Sequence, residues 1–247
     1  MNQLHYIRAG SGQPLVLIHG FPLDHSAWEQ SLPHLTAHFD VILPDLSGFG
    51  ASALPEGGCG LDEMAASLAG LLRGLGLSRA FLAGHSMGGY VALAFARQSP
   101  EMVLGLGLIS TQAGSDTPEG QANRHKTAAA VAEKGPGVVA DAMSPKLSAN
   151  PAHEALLRET ILRQSAPGII NALKAMAARP DSSSLLSHFD FPVSIVHGQA
   201  DALIPVERAR EMKAALLRVH LTELPGVGHM PMLEAPAETA DALKTLL

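Results

Sequence analysis

The stretch Ala80-Phe81-Leu82-Ala83-Gly84-His85-Ser86-Met87-Gly88-Gly89-Tyr90-Val91-Ala92-Leu93 restricts the possible folds more than any other part of the chain. A short apolar run of strand length enters a Gly-x-Ser-x-Gly pentapeptide, Gly84 to Gly88, and leaves as a small-residue, apolar segment of helical character. A bare pentapeptide match is weak, but strand, tight turn and helix in that order make it a nucleophile elbow. Glycines beside the serine let the backbone bend sharply and let strand and helix approach closely. The Ser86 hydroxyl then stands above the sheet, with a helix amino terminus beneath it that favours a developing negative charge. The competing reading is a glycine-rich turn that only closes a βα unit.

A chain of 247 residues is long enough for one large domain with a substantial core, or for two small ones. With 47% hydrophobic and 16% charged residues it is globular in composition rather than disordered. The formal charge of −6 and the lack of any basic cluster longer than two residues argue against nucleic-acid binding. Met1 to Arg8 lacks the basic-then-apolar layout of a signal peptide, and no apolar run approaches the roughly 18 residues of a membrane span. The single Cys59 excludes an intrachain disulfide. A cytoplasmic protein without a membrane span is expected, either monomer or homodimer.

Residues 4 to 8 alternate, and a Gly10-Ser11-Gly12 turn leads into the apolar Pro14 to Ile18, which together predict a hairpin. Ser26-Ala27-Trp28-Glu29 has the form of a capping box and predicts a helix running to about Thr36. Phe39 to Pro44 is a buried strand, Leu61 to Leu75 a helix stopped by Gly76, and Val103 to Ile109 another strand. The alternation of strand and helix predicts a mostly parallel, doubly wound α/β sheet. Between Ser110 and His188 the rhythm breaks into four helical segments, near 118–133, 136–143, 152–165 and 168–178. It resumes with a strand from Val193 to His197, a helix from Val206 to Leu217, a strand from Val219 to Glu223 and a helix from about Ala237. The expected organisation is a core of residues 1–110 and 189–247 carrying a helical cap at 111–188, over the carboxyl edge where such sheets bind ligands.

A serine needs a base to remove its proton, and the base needs an orienting acid. Asp201 follows the strand ending at His197, and His229 follows the strand ending at Glu223, so both fall on loops at the edge that carries Ser86. Their chain order, Ser, Asp, His, is the order associated with this elbow. An acid after the strand ending at Ile109 is the alternative, but Ser110 stands there with no acid nearby. His19 is expected to brace the loop after the second strand, His85 to point aside from the elbow, and His197 to pack near the acid loop. His25, His34 and His38 look like ordinary surface or cap positions, while Asp24 and Asp45 look like turn formers. No histidine pair has the helical spacing with a glutamate of a zinc site, so neither metal nor cofactor is expected.

These landmarks resemble those of the α/β-hydrolase family, of the small, cap-bearing esterase and lactonase type. The resemblance rests on His19-Gly20-Phe21-Pro22, Asp45-Leu46-Ser47-Gly48-Phe49-Gly50, Gly84-His85-Ser86-Met87-Gly88-Gly89, His197-Gly198-Gln199-Ala200-Asp201 and Gly228-His229, in order and spacing over residues 4 to 247. Relatives usually carry one more strand ahead of the Leu4–Arg8 equivalent, so about seven strands are expected, the first pair antiparallel. The resemblance implies that Ser86 attacks, His229 shuttles the proton and Asp201 orients His229. It also implies an oxyanion hole at the backbone N–H groups of Phe21 and Met87, where losing one donor typically costs on the order of 10²–10³ in rate.

The activity expected from this set is cleavage of a small to medium carboxylic ester through an acyl-enzyme. Trp28, Met143, Leu147 and Met176 are expected around a mainly apolar pocket. Enol-lactonase chemistry on a dicarboxylate is the rival, with Arg124, Lys146, Arg158 or Arg163 as the cation it requires. Carbon–carbon bond hydrolysis uses the same triad, and a non-catalytic small-molecule receptor on the same fold is the reading from a different class. A histidine base also sets a pH expectation. The rate should fall below about pH 6–7 as imidazole takes up a proton, and kcat/KM measured from pH 5 to 8 checks this; a flat profile would remove histidine from the mechanism.

Overall fold

Unbroken apolar runs with no polar alternation form strands covered on both faces. Such runs make the centre of the sheet in the computed structural model, which describes residues 4–247. Met1 to Gln3, part of the amino-terminal stretch considered above, lie outside the described residues. The strands are β1 (Tyr6–Gly10), β2 (Gln13–Ile18), β3 (Phe39–Pro44), β4 (Ala80–His85), β5 (Val103–Ile109), β6 (Val193–Gly198) and β7 (Val219–Leu224). They form one seven-stranded sheet in the order β1-β3-β2-β4-β5-β6-β7, parallel throughout except for β1. Every residue of β3, β4 and β6 is buried, whereas the edge strands β1 and β7 keep polar side chains such as Arg8, His220 and Glu223 toward water.

The predicted hairpin does not form. β1 does run antiparallel, but its ladder is with β3, from Tyr6 opposite Pro44 to Gly10 opposite Asp40, and not with β2. The Gly10–Gly12 turn carries the chain across the start of β3, so closely that a Cβ on Gly10 would lie 2.3 Å from the Phe39 carbonyl oxygen. β2 therefore emerges on the far side of β3 and pairs parallel with both β3 and β4.

The helix expected from Ser26 to Thr36 is also two pieces. A 3₁₀ turn, His25–Trp28, is capped by the Asp24 carboxylate, which accepts the Ser26 N–H, and α1 (Leu32–Leu35) follows after a break. The other core helices are α2 (Leu61–Gly74) and α3 (Met87–Gln98). Four helices separate β5 from β6: α4 (Pro118–Lys134), α5 (Gly137–Leu147), α6 (Glu154–Leu162) and α7 (Ala166–Ala177). α4 packs on α7 and α5 on α6. The chain ends with α8 (Glu207–Ala215), α9 (Pro231–Glu234) and α10 (Pro236–Lys244).

The strand order reverses direction between β2 and β4, and the loops at that reversal are where open α/β sheets bind ligands. The elbow sits there. β4 and α3 meet so tightly that a Cβ on Gly84 would lie 2.2 Å from the Gly88 carbonyl oxygen. One on Gly88 would lie 2.4 Å from the Ile18 carbonyl oxygen, at the end of β2. These neighbours are backbone and cannot swing aside. Gly84→Ala should therefore lower stability by about 3 kcal/mol or more, read as the urea midpoint at constant slope. A loss under about 1 kcal/mol would mean that the elbow can relax.

Candidate active site

Ser86 connects β4 to α3 with φ 50° and ψ −114°, a conformation that non-glycine residues rarely adopt. Four hydrogen bonds hold it: the Ser86 N–H donates to the Ile109 carbonyl (2.9 Å), and the Ser86 carbonyl accepts from Gly89 N–H (2.9 Å), the Thr111 hydroxyl (2.8 Å) and, at 3.4 Å, Tyr90 N–H. The side chain remains partly exposed. Neither the Met87 nor the Phe21 N–H has an acceptor among the described residues. The first is the opening amide of α3, and the second lies in the loop after β2. That loop packs against the elbow because Gly20 lacks a side chain: a Cβ there would lie 2.4 Å from His85 Nδ1.

Asp201, on the loop after β6, has a fully buried carboxylate. Its Oδ1 accepts the Leu203 and Ile204 amides (2.8 and 3.0 Å), and its Oδ2 accepts from His229 Nδ1 (2.7 Å), with His197 Nε2 a further 3.3 Å away. Burial by itself would raise the Asp201 pKa. The hydrogen bonds from His197, His229 and the Ile204 amide outweigh it and hold the carboxyl far below its usual range. Because Oδ2 is an anionic acceptor, Nδ1 of His229 carries the proton, which leaves Nε2 with its lone pair. His229 and Ser86 are not hydrogen-bonded to each other, but His85, next to Ser86, lies with its ring centroid 4.9 Å from that of His229.

Three other buried histidines hold the loops around this group. His85 Nε2 donates to the His229 carbonyl (2.8 Å), and burial followed by the nearby His229 pushes its pKa well down, so it is neutral. His19 Nδ1 donates to the Gly20 carbonyl and its Nε2 accepts the Leu46 N–H, both at 2.9 Å; burial lowers its pKa as well. His197 Nε2 donates to the Ile204 carbonyl at 2.8 Å.

The residues expected around a pocket are packed into the apolar interior. Trp28, Leu147 and Met176 are buried in the core, Met143 packs partly buried against it, and none of the four lines a described cavity. A cleft of about 470 Å³ opens instead between Leu23, Gln30, Leu157, Arg163, Gln164 and Met230, at the α6 side of the molecule. Gln164 bridges it to the core, donating to Asp24 (2.8 Å) and accepting from the Gly50 N–H (2.9 Å).

Sequence reading missed Arg179, the arginine most deeply buried among the described residues. Its guanidinium lies 4.1 Å from the Tyr90 ring centroid and donates to Asp116 (2.7 Å) and to the Gly114 and Met176 carbonyls, both at 3.0 Å. Asp116 also pairs with Arg124. Nothing in the local pattern distinguishes Arg179 from a surface arginine ending a helix; only the packing of the α4 and α7 ends over α3 does.

A sequence profile described as "Alpha/beta hydrolase family" matches residues 15–242. The chain belongs to that family. Among curated relatives, it is 33% identical over 249 residues to the dihydrolipoyllysine-residue acetyltransferase component of the acetoin cleaving system of Pseudomonas putida. The alignment covers 96% of this chain but only 64% of that longer protein. Among solved structures, a thermophilic esterase from Thermogutta terrifontis, in a malate-bound form, superposes with a TM-score of 0.94 at 38% identity, over 98% of this chain and 92% of the esterase. The enol-lactonase of Burkholderia xenovorans LB400 shares the fold, with a TM-score of 0.90 at 24% identity over 98% and 95% of the two chains. Among the described residues, no helix is long and apolar enough to cross a membrane.

The depressed Asp201 pKa has a signed consequence for stability. A carboxyl whose folded pKa lies below its unfolded value of about 3.9 stabilises the fold above that value and loses the contribution as pH falls toward the folded pKa. The stability advantage of the wild type over Asp201→Asn should therefore shrink by about 1 kcal/mol between pH 6 and pH 3, measured by urea unfolding. A gap that does not change with pH would mean that Asp201 is not held in its charged form.

Proposed function

We propose that this hydrolase cleaves carboxylic esters through an acyl-enzyme, with Ser86 as nucleophile, His229 as general base and Asp201 as its orienting acid. The observation that carries the reading is the 2.7 Å hydrogen bond from His229 Nδ1 to the buried Asp201, at the same sheet edge as the left-handed Ser86. In this reading Ser86 Oγ attacks the ester carbonyl carbon while His229 Nε2 takes its proton. Asp201 stays ionised, holds the tautomer and stabilises the imidazolium. The tetrahedral oxyanion is bound by the free N–H groups of Phe21 and Met87. Collapse expels the alcohol, which takes the proton from His229, and leaves the acyl group on Ser86. Water then attacks the acyl-enzyme by the same steps and releases the acid.

The segment 111–188 acts in this proposal as a cap that shapes the acyl and alcohol sites. The 38% identity to the Thermogutta terrifontis esterase over almost the whole chain supports an ester substrate. A dicarboxylate lactone would need a buried cation free to hold its second carboxylate. Arg179 and Arg124 are both engaged by Asp116, Arg158 pairs with Asp141, Arg163 lines the cleft but is half-exposed and lies 3.6 Å from Asp24, and Lys146 is exposed. These pairings favour a neutral ester over that lactone.

Turnover of p-nitrophenyl acetate and butyrate tests the proposal. Ser86→Ala and His229→Ala should each lower kcat by on the order of 10⁶, and Asp201→Asn by about 10⁴. A serine-directed phosphonate should add covalently to Ser86 in the wild type. Absence of an initial burst, of an adduct and of any loss in Ser86→Ala would refute the enzyme. Near-full activity in Asp201→Asn would refute the acid alone.

A further inference from the structure

Asp45 closes β3 with a carboxylate whose side chain is fully buried, yet among the described residues no lysine or arginine forms an ion pair with it. Buried carboxylates are paired with a cation or bound to a metal, because isolated burial of a charge is costly. Here the partners are two imidazoles. His5 Nδ1 lies 2.8 Å from Asp45 Oδ2, and His25 Nδ1 lies 2.8 Å from Asp45 Oδ1. The carboxylate is held from behind by two backbone amides, of His25 and Ala51, each at 2.9 Å. One ligand atom from each of the three residues lies within 4.8 Å of the others.

We propose that His5, His25 and Asp45 bind a divalent cation of borderline softness, zinc foremost. Two imidazole nitrogens and one carboxylate oxygen are a donor set suited to zinc and its neighbours rather than to magnesium or calcium. Around an ion with bonds of about 2.0–2.1 Å the ligand atoms sit roughly 3.3 Å apart. The two 2.8 Å contacts reach different Asp45 oxygens, so an ion on one oxygen needs that contact to open by about half an ångström and the other ring, whose ligand atom lies within 4.8 Å, to close on it. The dication supplies the charge that the buried carboxylate lacks.

The protons balance. In the hydrogen-bonded form each imidazole donates its Nδ1 proton to Asp45. Metal binding moves that proton to Nε2, which has no partner among the described residues on either ring. The side chains of His5 and His25 are 38% and 26% exposed, so Nε2–H can reach water and a solvent molecule can complete the coordination. The backbone is already in place: the His5 amide donates to Ser52 Oγ (2.9 Å) and its carbonyl accepts the Asp45 N–H (2.9 Å). The amides of His25 and Ala51 fix the carboxylate in the manner of outer-shell partners.

The ion would cross-link three segments: the chain entering β1, the 3₁₀ turn after β2, and the end of β3. Its neighbour in sequence, Leu46, is the residue whose N–H is held by His19 beside the Phe21 loop. The site thus acts on the stability of that corner.

Protein stripped with a chelator and titrated calorimetrically with zinc sulfate at pH 7.5 tests the site. One equivalent should bind with micromolar or tighter affinity and raise Tm by several degrees, and cobalt(II) should give the visible absorption of a low-coordinate site. His5→Ala and His25→Ala should each weaken binding at least tenfold, and the double variant should abolish both the heat and the Tm shift. His5→Gln keeps a hydrogen-bond donor for Asp45 while removing the ligand, so it separates loss of metal from loss of fold. No binding at about 100 µM zinc would overturn the proposal and leave a hydrogen-bonded clamp. Undiminished binding in the folded double variant would overturn it too, by placing the metal on other histidines.

Discussion

The left-handed backbone at Ser86 is the constraint on which the surrounding structure depends. A non-glycine residue in such a conformation costs on the order of 1–3 kcal/mol and persists only where its neighbours over-determine it. Here β5 supplies the Ile109 carbonyl, the loop after β5 supplies the Thr111 hydroxyl, and α3 supplies the Gly89 amide. Because Gly84 and Gly88 carry no side chains, β4, the end of β2 and α3 close around the serine at backbone contact distance, and Gly20 lets the loop after β2 approach the His85 ring. The amides of Phe21, in the loop after β2, and of Met87, at the start of α3, have no acceptor among the described residues. Adding an atom at any of these glycines would push apart groups that have no freedom to move.

A second theme is the use of buried histidine to join loops. His19 spans the loops after β2 and β3, His85 joins the elbow to the loop after β7, and His197 ties the end of β6 to Ile204. Each donates one ring proton to a backbone carbonyl. Burial disfavours the charged form of His19 and His85, which lets them serve as fixed dipoles beside Asp201 and His229 without adding charge to the site. The carboxylates are treated the opposite way. Asp24, Asp45, Asp116 and Asp201 are each surrounded by donors that overcome the cost of burial and keep them ionised.

The helical segment between β5 and β6 shares the apolar core cluster through residues such as Leu147, Leu157, Ile169 and Met176, and polar ties add to that packing. Gln164 bridges Asp24 and Gly50, Asn171 exchanges hydrogen bonds with the Cys59 backbone, and Gly168 packs on Gly48. At its two ends Asp116, Arg124 and Arg179 form a paired cluster over Tyr90. Most of these residues occur in segments with no motif of their own, which is why selectivity is so hard to read from the chain.

What the sequence determined by itself is local: seven strands, the helices between them, and the elbow whose glycines and serine are consecutive. Apolar periodicity and glycine placement act over a few residues, so β4, α3 and the four helices of the 111–188 segment are legible to within a few positions. Order along the chain also puts Asp201 and His229 at the edge of Ser86, because parallel strands all end on one side. Only the tertiary structure decided which strand β1 pairs with, since the Gly10 turn crosses β3 through a contact between residues far apart in sequence. It also decided that Trp28, Leu147 and Met176 are core, that Arg179 is buried against Asp116, and that His5, His25 and Asp45 meet. Those outcomes depend on distances between side chains from separate segments, and spacing along a chain carries no record of them until the sheet has fixed where each segment ends.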